Sequence, residues 1–299
     1  MGDGTVFAIL TGVSGPSYRD LGATMVIGPD GGWAGALTSG CIEADIILRA
    51  EDLRRDGRMR VLRYGAGSPY IDLRLPCGGA ITVTLFLLRD AAVLEDLERM
   101  RLQRQPCALN LCPAGRLSLQ PLVATGQTAT GFSIGFAPPV RHVIFGAGPE
   151  ALVFAGLVAA LEQDHLLLSH DDATLAAAPG HGCRAERLGR LFDAKWAAID
   201  AMTAVTLFYH DHDHEAEILR TVLQSPAFYI GAQGSRAAQE KRRIRLAELG
   251  VPETALARLR GPIGLIRSSR NARDLAISAL AEITEAAGRQ AGWPAAVAG

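Results

Sequence analysis

The N-terminal part of the chain carries its hydrophobic residues in short runs broken by glycine, proline and aspartate, a strand-and-turn pattern. Thr5 to Val13 reads as a strand, and Thr24 to Gly28 with Trp33 to Leu37 flank Pro29-Asp30-Gly31-Gly32 as a hairpin. Ser14-Gly15-Pro16-Ser17-Tyr18-Arg19-Asp20, between them, is a loop of turn formers that ends in an exposed arginine. Ile42, Ile46, Ile47 and Leu53 recur at helical spacing, which predicts a helix to about Arg55. Arg58 to Tyr64, Tyr70 to Leu75 and Ala80 to Leu88 predict strands, and Asp90 to Arg104 an amphipathic helix. Short strands then run to Pro138-Pro139, where a linker is expected.

Beyond the prolines the rhythm changes to apolar strand followed by helix. Strands are predicted at His142 to Phe145, His165 to Ser169, Thr203 to Tyr209 and Ala227 to Ile230. Helices are predicted at Arg187 to Ile199, Glu215 to Leu223, Lys241 to Leu249 and Ala272 to Ala287. That alternation specifies a doubly wound parallel sheet. The expected fold class is α/β, with a mixed α+β domain over 1–137 and a doubly wound domain over 140–290.

One junction carries chemistry. The run His142 to Phe145 ends in Gly146-Ala147-Gly148 and enters an Ala/Leu/Val-rich helix through Pro149, Glu150 and Ala151. This is the G-x-G-x-x-A form of the dinucleotide-binding fingerprint. Gly146 permits the turn, Gly148 removes a side chain from the path of a phosphate, and Ala151 lets helix and strand pack closely. The phosphate would then sit at the positive end of the helix. The plain alternative is a tight turn with nothing bound. Gly231-Ala232-Gln233-Gly234-Ser235-Arg236 is a second Gly-rich loop at a strand end, where ligands of open α/β sheets lie. Asp171 and Asp172, about 25 residues past the first glycine, stand near the spacing of a ribose-binding carboxylate.

Composition sharpens this by exclusion. The 299 residues are 48% hydrophobic and 20% charged with a net charge of −1, and the pI is about 6.7. No global field calls for nucleic acid or a membrane. The longest apolar run, Ala151 to Leu161, is far below the ~20 residues of a membrane span, and the N-terminus lacks the features of a secretory signal. A cytoplasmic setting with free thiols is therefore expected. Of the five cysteines, Cys107, Cys112 and Cys183 read as buried or incidental. Cys41, at a helix start, and Cys77, before Gly78-Gly79, each have a local reason for reactivity; filling a tight turn is the alternative for both.

His210-Asp211-His212-Asp213-His214 invites a metal reading, because alternate strand residues share a face. Lying at a strand end, the run equally suits a cap or a polar rim, and no outlying ligand cluster completes a site. G-x-S-x-G, H-E-x-x-H and a Walker A lysine are absent. The residues describe a nucleotide-like binder with exposed thiols and specify no reaction.

In order and spacing these motifs resemble the XdhC/CoxI family of xanthine dehydrogenase accessory proteins. Tyr18 to Met25, Asp30-Gly31, Gly35 to Glu43 and Cys77-Gly78-Gly79 are similar to its N-terminal block. Phe145 to Gly148, His210 to His212, Tyr229 to Gly231, Gly234 to Arg236, Gly261 to Leu265 and Ala276 to Ile283 are similar to its Rossmann-type half. The loop before Arg19 departs from the family's pattern in shifting the proline and inserting Tyr18.

The resemblance implies a non-catalytic carrier of the molybdenum cofactor, as molybdopterin or its dinucleotide form. Such a carrier binds the cofactor, protects it, assists addition of its terminal sulfur and inserts it into a molybdenum hydroxylase of the xanthine dehydrogenase type. A cysteine desulfurase as sulfur source and a homodimer are implied with it. Implied cofactor contacts are Arg19, Cys41, Glu43, Cys77, Gly78 and Gly79 in the first domain. Those in the second are Gly146, Gly148, Asp171, His210, Gly231, Gly234, Ser235 and Arg236. Cys41 or Cys77 would be the active thiol, and Cys77 a contact to molybdenum. Two alternatives stay open: an NAD(P)-dependent oxidoreductase with His210 as general acid, and an adaptor docking on a partner enzyme through the basic helix Lys241 to Arg245.

Overall fold

Strand β1 (Val6–Ser14) shows how alternation builds the first half of the molecule. In the computed structural model, which describes residues 4–40, 42–66, 78–189, 199–209, 212–266, 269 and 271–290 (without the side chains of 212–214), β1 is the middle strand of a five-stranded sheet. Its partners are β2 (Thr24–Ile27), β3 (Trp33–Gly35), β4 (Arg60–Gly65) and β5 (Ala80–Leu87), in the order β3-β2-β1-β5-β4. Every pairing is antiparallel. Val6, Ala8 and Leu10 pack with Ile42, Ile46, Ala50 and Leu53 around helix α1 (Glu43–Asp56). Phe7 and Ile9 point the other way, onto Phe86, Leu111, Phe132 and Ile134. The period of two thus serves two cores.

The second core is closed by helix α2 (Ala92–Leu102) and a four-stranded sheet of β6 (Cys107–Leu111), β7 (Leu117–Pro121), β8 (Gly126–Thr128) and β9 (Gly131–Phe136). Chain contacts set residues up to Pro138 apart from a second compact unit, Pro139–Gln290. The strand expected at Tyr70 to Leu75 lies outside the described residues.

The second unit is a six-stranded sheet of β10 (Arg141–Gly146), β11 (Asp164–Ser169), β12 (Ala185–Arg187), β13 (Thr203–Phe208), β14 (Tyr229–Ala232) and β15 (Leu259–Arg260). The order is β12-β11-β10-β13-β14-β15 with every pair parallel, the doubly wound arrangement with its switch point beside β10. Helix α3 (Pro149–Ala160) follows β10, α4 (Asp172–Ala177) follows β11, and α5 (His212–Val222) follows β13. Helices α6 (Arg236–Glu248), α7 (Glu253–Leu256) and α8 (Ala272–Gly288) complete the unit. Ser235 caps α6, its hydroxyl accepting from the Ala238 N–H, so that helix starts five residues before the predicted Lys241. Arg187, predicted to open a helix, instead ends β12, and the remainder of that helix falls mostly outside the described residues.

His142 on β10 is buried, with Nε2 2.8 Å from Gln163 Oε1, against the edge of Phe154. Burial pushes its pKa from 6.5 down to about 4. Between those values the unfolded chain takes a proton that the folded chain refuses. Stability is therefore full above pH 6.5 and is lost as pH falls toward 4, by about 3 kcal/mol from this group. Urea titrations at pH 7 and pH 4 should show His142→Gln losing about that much less than wild type; equal losses would contradict the assignment.

Candidate functional site

The register of the five-stranded sheet gathers the N-terminal motifs at one end. Ser14 pairs with Ala80, Gly65 with Ala80, Ile9 with Thr24 and Gly35 with Met25. The arginine loop after β1, the segment from Gly35 to α1 and the Gly78-Gly79 turn before β5 therefore all leave the same end of the sheet. Arg19 is exposed there, in a turn where the Ser17 hydroxyl donates to the Arg19 carbonyl at 2.8 Å. Gly79 lies so close to the Pro16 and Ser14 carbonyls that no side chain fits. Gly78 precedes it with φ of +73°. Cys41 and Cys77 lie outside the described residues.

Glu43, expected as a cofactor contact, is tied into its own loop. Its carboxylate is buried and receives hydrogen bonds from Leu37, Thr38 and Ile42 among the described residues. Oε1 accepts from the N–H groups of Leu37 (3.1 Å) and Thr38 (2.7 Å); Oε2 accepts from the Thr38 hydroxyl (2.7 Å) and the Ile42 N–H (3.1 Å). Burial pushes its pKa up, but the hydroxyl and N–H of Thr38, with the neighbouring N–H groups, outweigh this and hold it below the usual value. Glu43 positions the loop, with its acceptor capacity turned inward.

In the second unit the strand–turn–helix junction forms as the fingerprint predicts. A Cβ on Gly146 would stand 2.7 Å from the Phe208 carbonyl and 2.9 Å from the Ala151 Cβ, which explains both small residues. Gly148 caps α3 at φ +82°, and Pro149 opens the helix. The Gly148 N–H donates to the Thr174 hydroxyl at 2.8 Å. Thr174 in turn gives both its N–H (2.7 Å) and its hydroxyl (2.6 Å) to Asp171 Oδ2. Asp171, expected at a ribose, is thereby the N-cap of α4, and hydrogen bonds from the Thr174 hydroxyl and N–H lower its pKa. Asp172 pairs with Arg187. Gly231 is a packing glycine, wedged against Ile263 and Tyr229.

A cavity of about 990 Å³ opens over the carboxyl ends of β13, β14 and β15. Gly234, Ser235 and Arg236, of the second Gly-rich loop, line it. Glu150, Tyr209 and Arg260, which sequence reasoning missed, line it too. Their only sequence signal was position just past a predicted strand end or turn. The loop is held from beneath by Arg242, which donates to the Gln233 carbonyl (2.8 Å) and Gln239 Oε1 (2.6 Å) and pairs with Glu215 Oε1 (2.8 Å). Both members of that ion pair are buried.

Helix α5 begins at His212, so from there the backbone is helical and not the extended strand that the alternating-face argument used. His210 itself lies outside the described residues, and among those described no group of three metal-ligating side chains occurs. The basic helix offered as a docking face commits Arg242 to Glu215, Arg243 to Glu253 and Arg245 to Glu248. Cys107 and Cys183 are buried thiols, raised in pKa by burial. No helix among the described residues is long and apolar enough to cross a membrane.

Comparison with known proteins fits this geometry. Residues 143–283 match the XdhC Rossmann domain, and residues 1–65 match the XdhC and CoxI family. The molybdenum cofactor insertion chaperone PaoD of Escherichia coli (strain K12) is 37% identical over 289 residues, covering 94% of this chain and 83% of PaoD. A crystal structure from Bacillus halodurans, described as a xanthine dehydrogenase, shares the fold with a TM-score of 0.65 at 22% identity, covering 96% of this chain and 92% of that one. With both halves matched and a relative similar along nearly its whole length, the chain belongs to the XdhC and CoxI family.

Proposed function

We propose that this protein is a molybdenum cofactor carrier, which binds the cofactor, protects it and inserts it into a recipient enzyme. The observation that carries the reading is the 37% identity, over 94% of this chain, to a protein named as a molybdenum cofactor insertion chaperone. The residues fit such a ligand. The cofactor ends in a phosphate, and the cavity over β13 to β15 offers Arg236, Arg260 and the amino end of α6 to an anion. In the N-terminal unit, the exposed Arg19 and the Gly78-Gly79 turn lie at the same end of the sheet as the loop that Glu43 fixes.

When bound, the cofactor supplies the metal–dithiolene chemistry of the enzyme that receives it. The chain's own residues hold and orient it. Glu43 holds Leu37, Thr38 and Ile42 in place, and Cys41 or Cys77 is the thiol for the metal–sulfur end. The finer reading adds assistance to sulfuration, with a cysteine desulfurase as donor, a recipient of the xanthine dehydrogenase type, and a homodimeric carrier.

The test is to purify the protein from cells that make the cofactor and assay bound molybdenum and pterin. Wild type should retain both and Cys77→Ala should retain at least tenfold less molybdenum. Loss of neither on substitution removes Cys77 from the site; absence of both from wild type removes the carrier reading.

A further inference from the structure

The chain from Val13 at the end of β1 to Leu21 ahead of β2 exposes three large apolar side chains. Val13 is 37% exposed, Tyr18 58% and Leu21 38%. Among the described residues no hydrogen bond or ring contact engages the Tyr18 side chain, and the charges of Arg19 and Asp20 enter no ion pair. Single exposed apolar residues are ordinary on a protein surface; three on one loop, beside two unspent charges, mark a contact surface. The loop is also tied at several points. The Gly22 N–H donates to the Leu10 carbonyl and the Leu10 N–H to the Ala23 carbonyl, each at 2.8 Å, which brings its two ends together. Within it, the Ser17 hydroxyl donates to the Arg19 carbonyl, and the Pro16 and Ser14 carbonyls press on Gly79. Gly22, at φ +86°, packs against Thr125 and Ile134. An aromatic side chain on a loop fixed in advance loses little freedom on binding, which suits it as an anchor.

The occupant follows from where the loop stands. It leaves the end of the sheet at which Gly78-Gly79 and the segment from Gly35 to α1 also emerge, so whatever covers it stands over the cofactor contacts proposed for this unit. A second copy of the chain seated there would close that end, whereas the enzyme that receives the cofactor has to come to it. Small ligands call for concave sites, and these side chains are exposed on a loop. Tyr18 is also the residue by which the loop departs from the family's pattern, and a cofactor common to the family does not call for it.

We propose that the loop from Val13 to Leu21 is the docking element for the recipient enzyme, with Tyr18 anchored in an apolar socket of that enzyme, Val13 and Leu21 against the socket's rim, and Asp20 facing a basic group. The proposal rests on the carrier reading for the identity of the partner. Arg19, in the same turn, stays with the cofactor, so docking and release meet in one loop.

The experiment is surface plasmon resonance between the full chain, purified free of cofactor, and the cofactor-free molybdenum hydroxylase of the xanthine dehydrogenase type from the same organism. Wild type should bind saturably. Tyr18→Ala should weaken binding at least tenfold and Leu21→Ala at least threefold, while Tyr18→Phe, which keeps the ring, stays within threefold of wild type. Asp20→Arg should slow association at least threefold. Tyr18→Ala should keep the urea midpoint of wild type, its sedimentation coefficient and its molybdenum content from cells. Binding of Tyr18→Ala equal to wild type, or no saturable binding of wild type, would overturn the proposal. So would loss of molybdenum from Tyr18→Ala, which makes the tyrosine a cofactor contact, or a change in its sedimentation, which gives the loop to a second copy. A wild type that carries no molybdenum or pterin from cells yet binds the enzyme through Tyr18 loses the carrier reading and keeps the docking loop. One that carries both, and binds as well without Tyr18, does the reverse.

Discussion

Replacing Arg242 by methionine should destabilise the C-terminal unit by about 3–5 kcal/mol, the cost of breaking a buried ion pair by removing one member. The guanidinium is 3% exposed and Glu215, on α5, is 2% exposed, so water cannot substitute for either. The same side chain also donates to the Gln233 carbonyl and Gln239 Oε1, and both bonds would be lost with it. Glu215→Met should cost a comparable amount. The double variant should recover most of the loss, because removing both charges removes the desolvation penalty along with the attraction. Urea denaturation of the two single variants and the double variant measures this; a double variant as unstable as the sum of the singles would show that the pair is not the source. Because Gln233 precedes Gly234, Arg242→Met should also loosen the loop that carries Ser235 and Arg236.

The second large effect is expected at Glu43. Glu43→Ala removes the acceptor of four hydrogen bonds in a buried setting, leaving the N–H groups of Leu37, Thr38 and Ile42 and the Thr38 hydroxyl without it. At about 1–3 kcal/mol for each buried group left unmet, and with water entering the space vacated, a net loss of about 4 kcal/mol is expected. Glu43→Gln should lose much of this too, since its amide nitrogen would face donors. The sign of the pH effect follows from the lowered carboxylate pKa: its contribution is present above the ordinary glutamate range and is lost as pH falls through the folded value. Wild type should thus lose stability on acidification that Glu43→Gln does not. Denaturation midpoints at pH 7 and pH 4 for both proteins check the claim, and parallel losses would refute it.

What was legible in the sequence was mostly local. The two-sided alternation of Val6 to Leu10, the small residues of Gly146 to Ala151 and the Pro149 helix start are patterns within a few residues, and each produced the element it promised. Glu43 was visible as a motif residue, but its hydrogen bonds to Leu37, Thr38 and Ile42 were not, because they depend on how its own loop folds back. Asp171 sits at the right distance for a ribose contact, yet the closer demand was the uncapped start of α4. Ser235 could have moved the start of α6, since a serine after Gly234 and ahead of a helical run is an N-cap signal. Arg242 and Glu215 could not have been paired from sequence, because they are on different helices and read as ordinary surface charges. Tyr209 and His170 meet only because β10 lies between their strands in space and not in sequence.

The central claim is that this chain holds the molybdenum cofactor and hands it over. Its most direct measurement is reconstitution: the loaded protein is mixed with a cofactor-free molybdenum hydroxylase of the xanthine dehydrogenase type in air, beside an equal amount of free cofactor. The account predicts that carrier-bound cofactor restores activity at least tenfold more effectively, and that molybdenum leaves the carrier as it appears in the enzyme. Equal activation by free cofactor, with molybdenum remaining on the carrier, would contradict it.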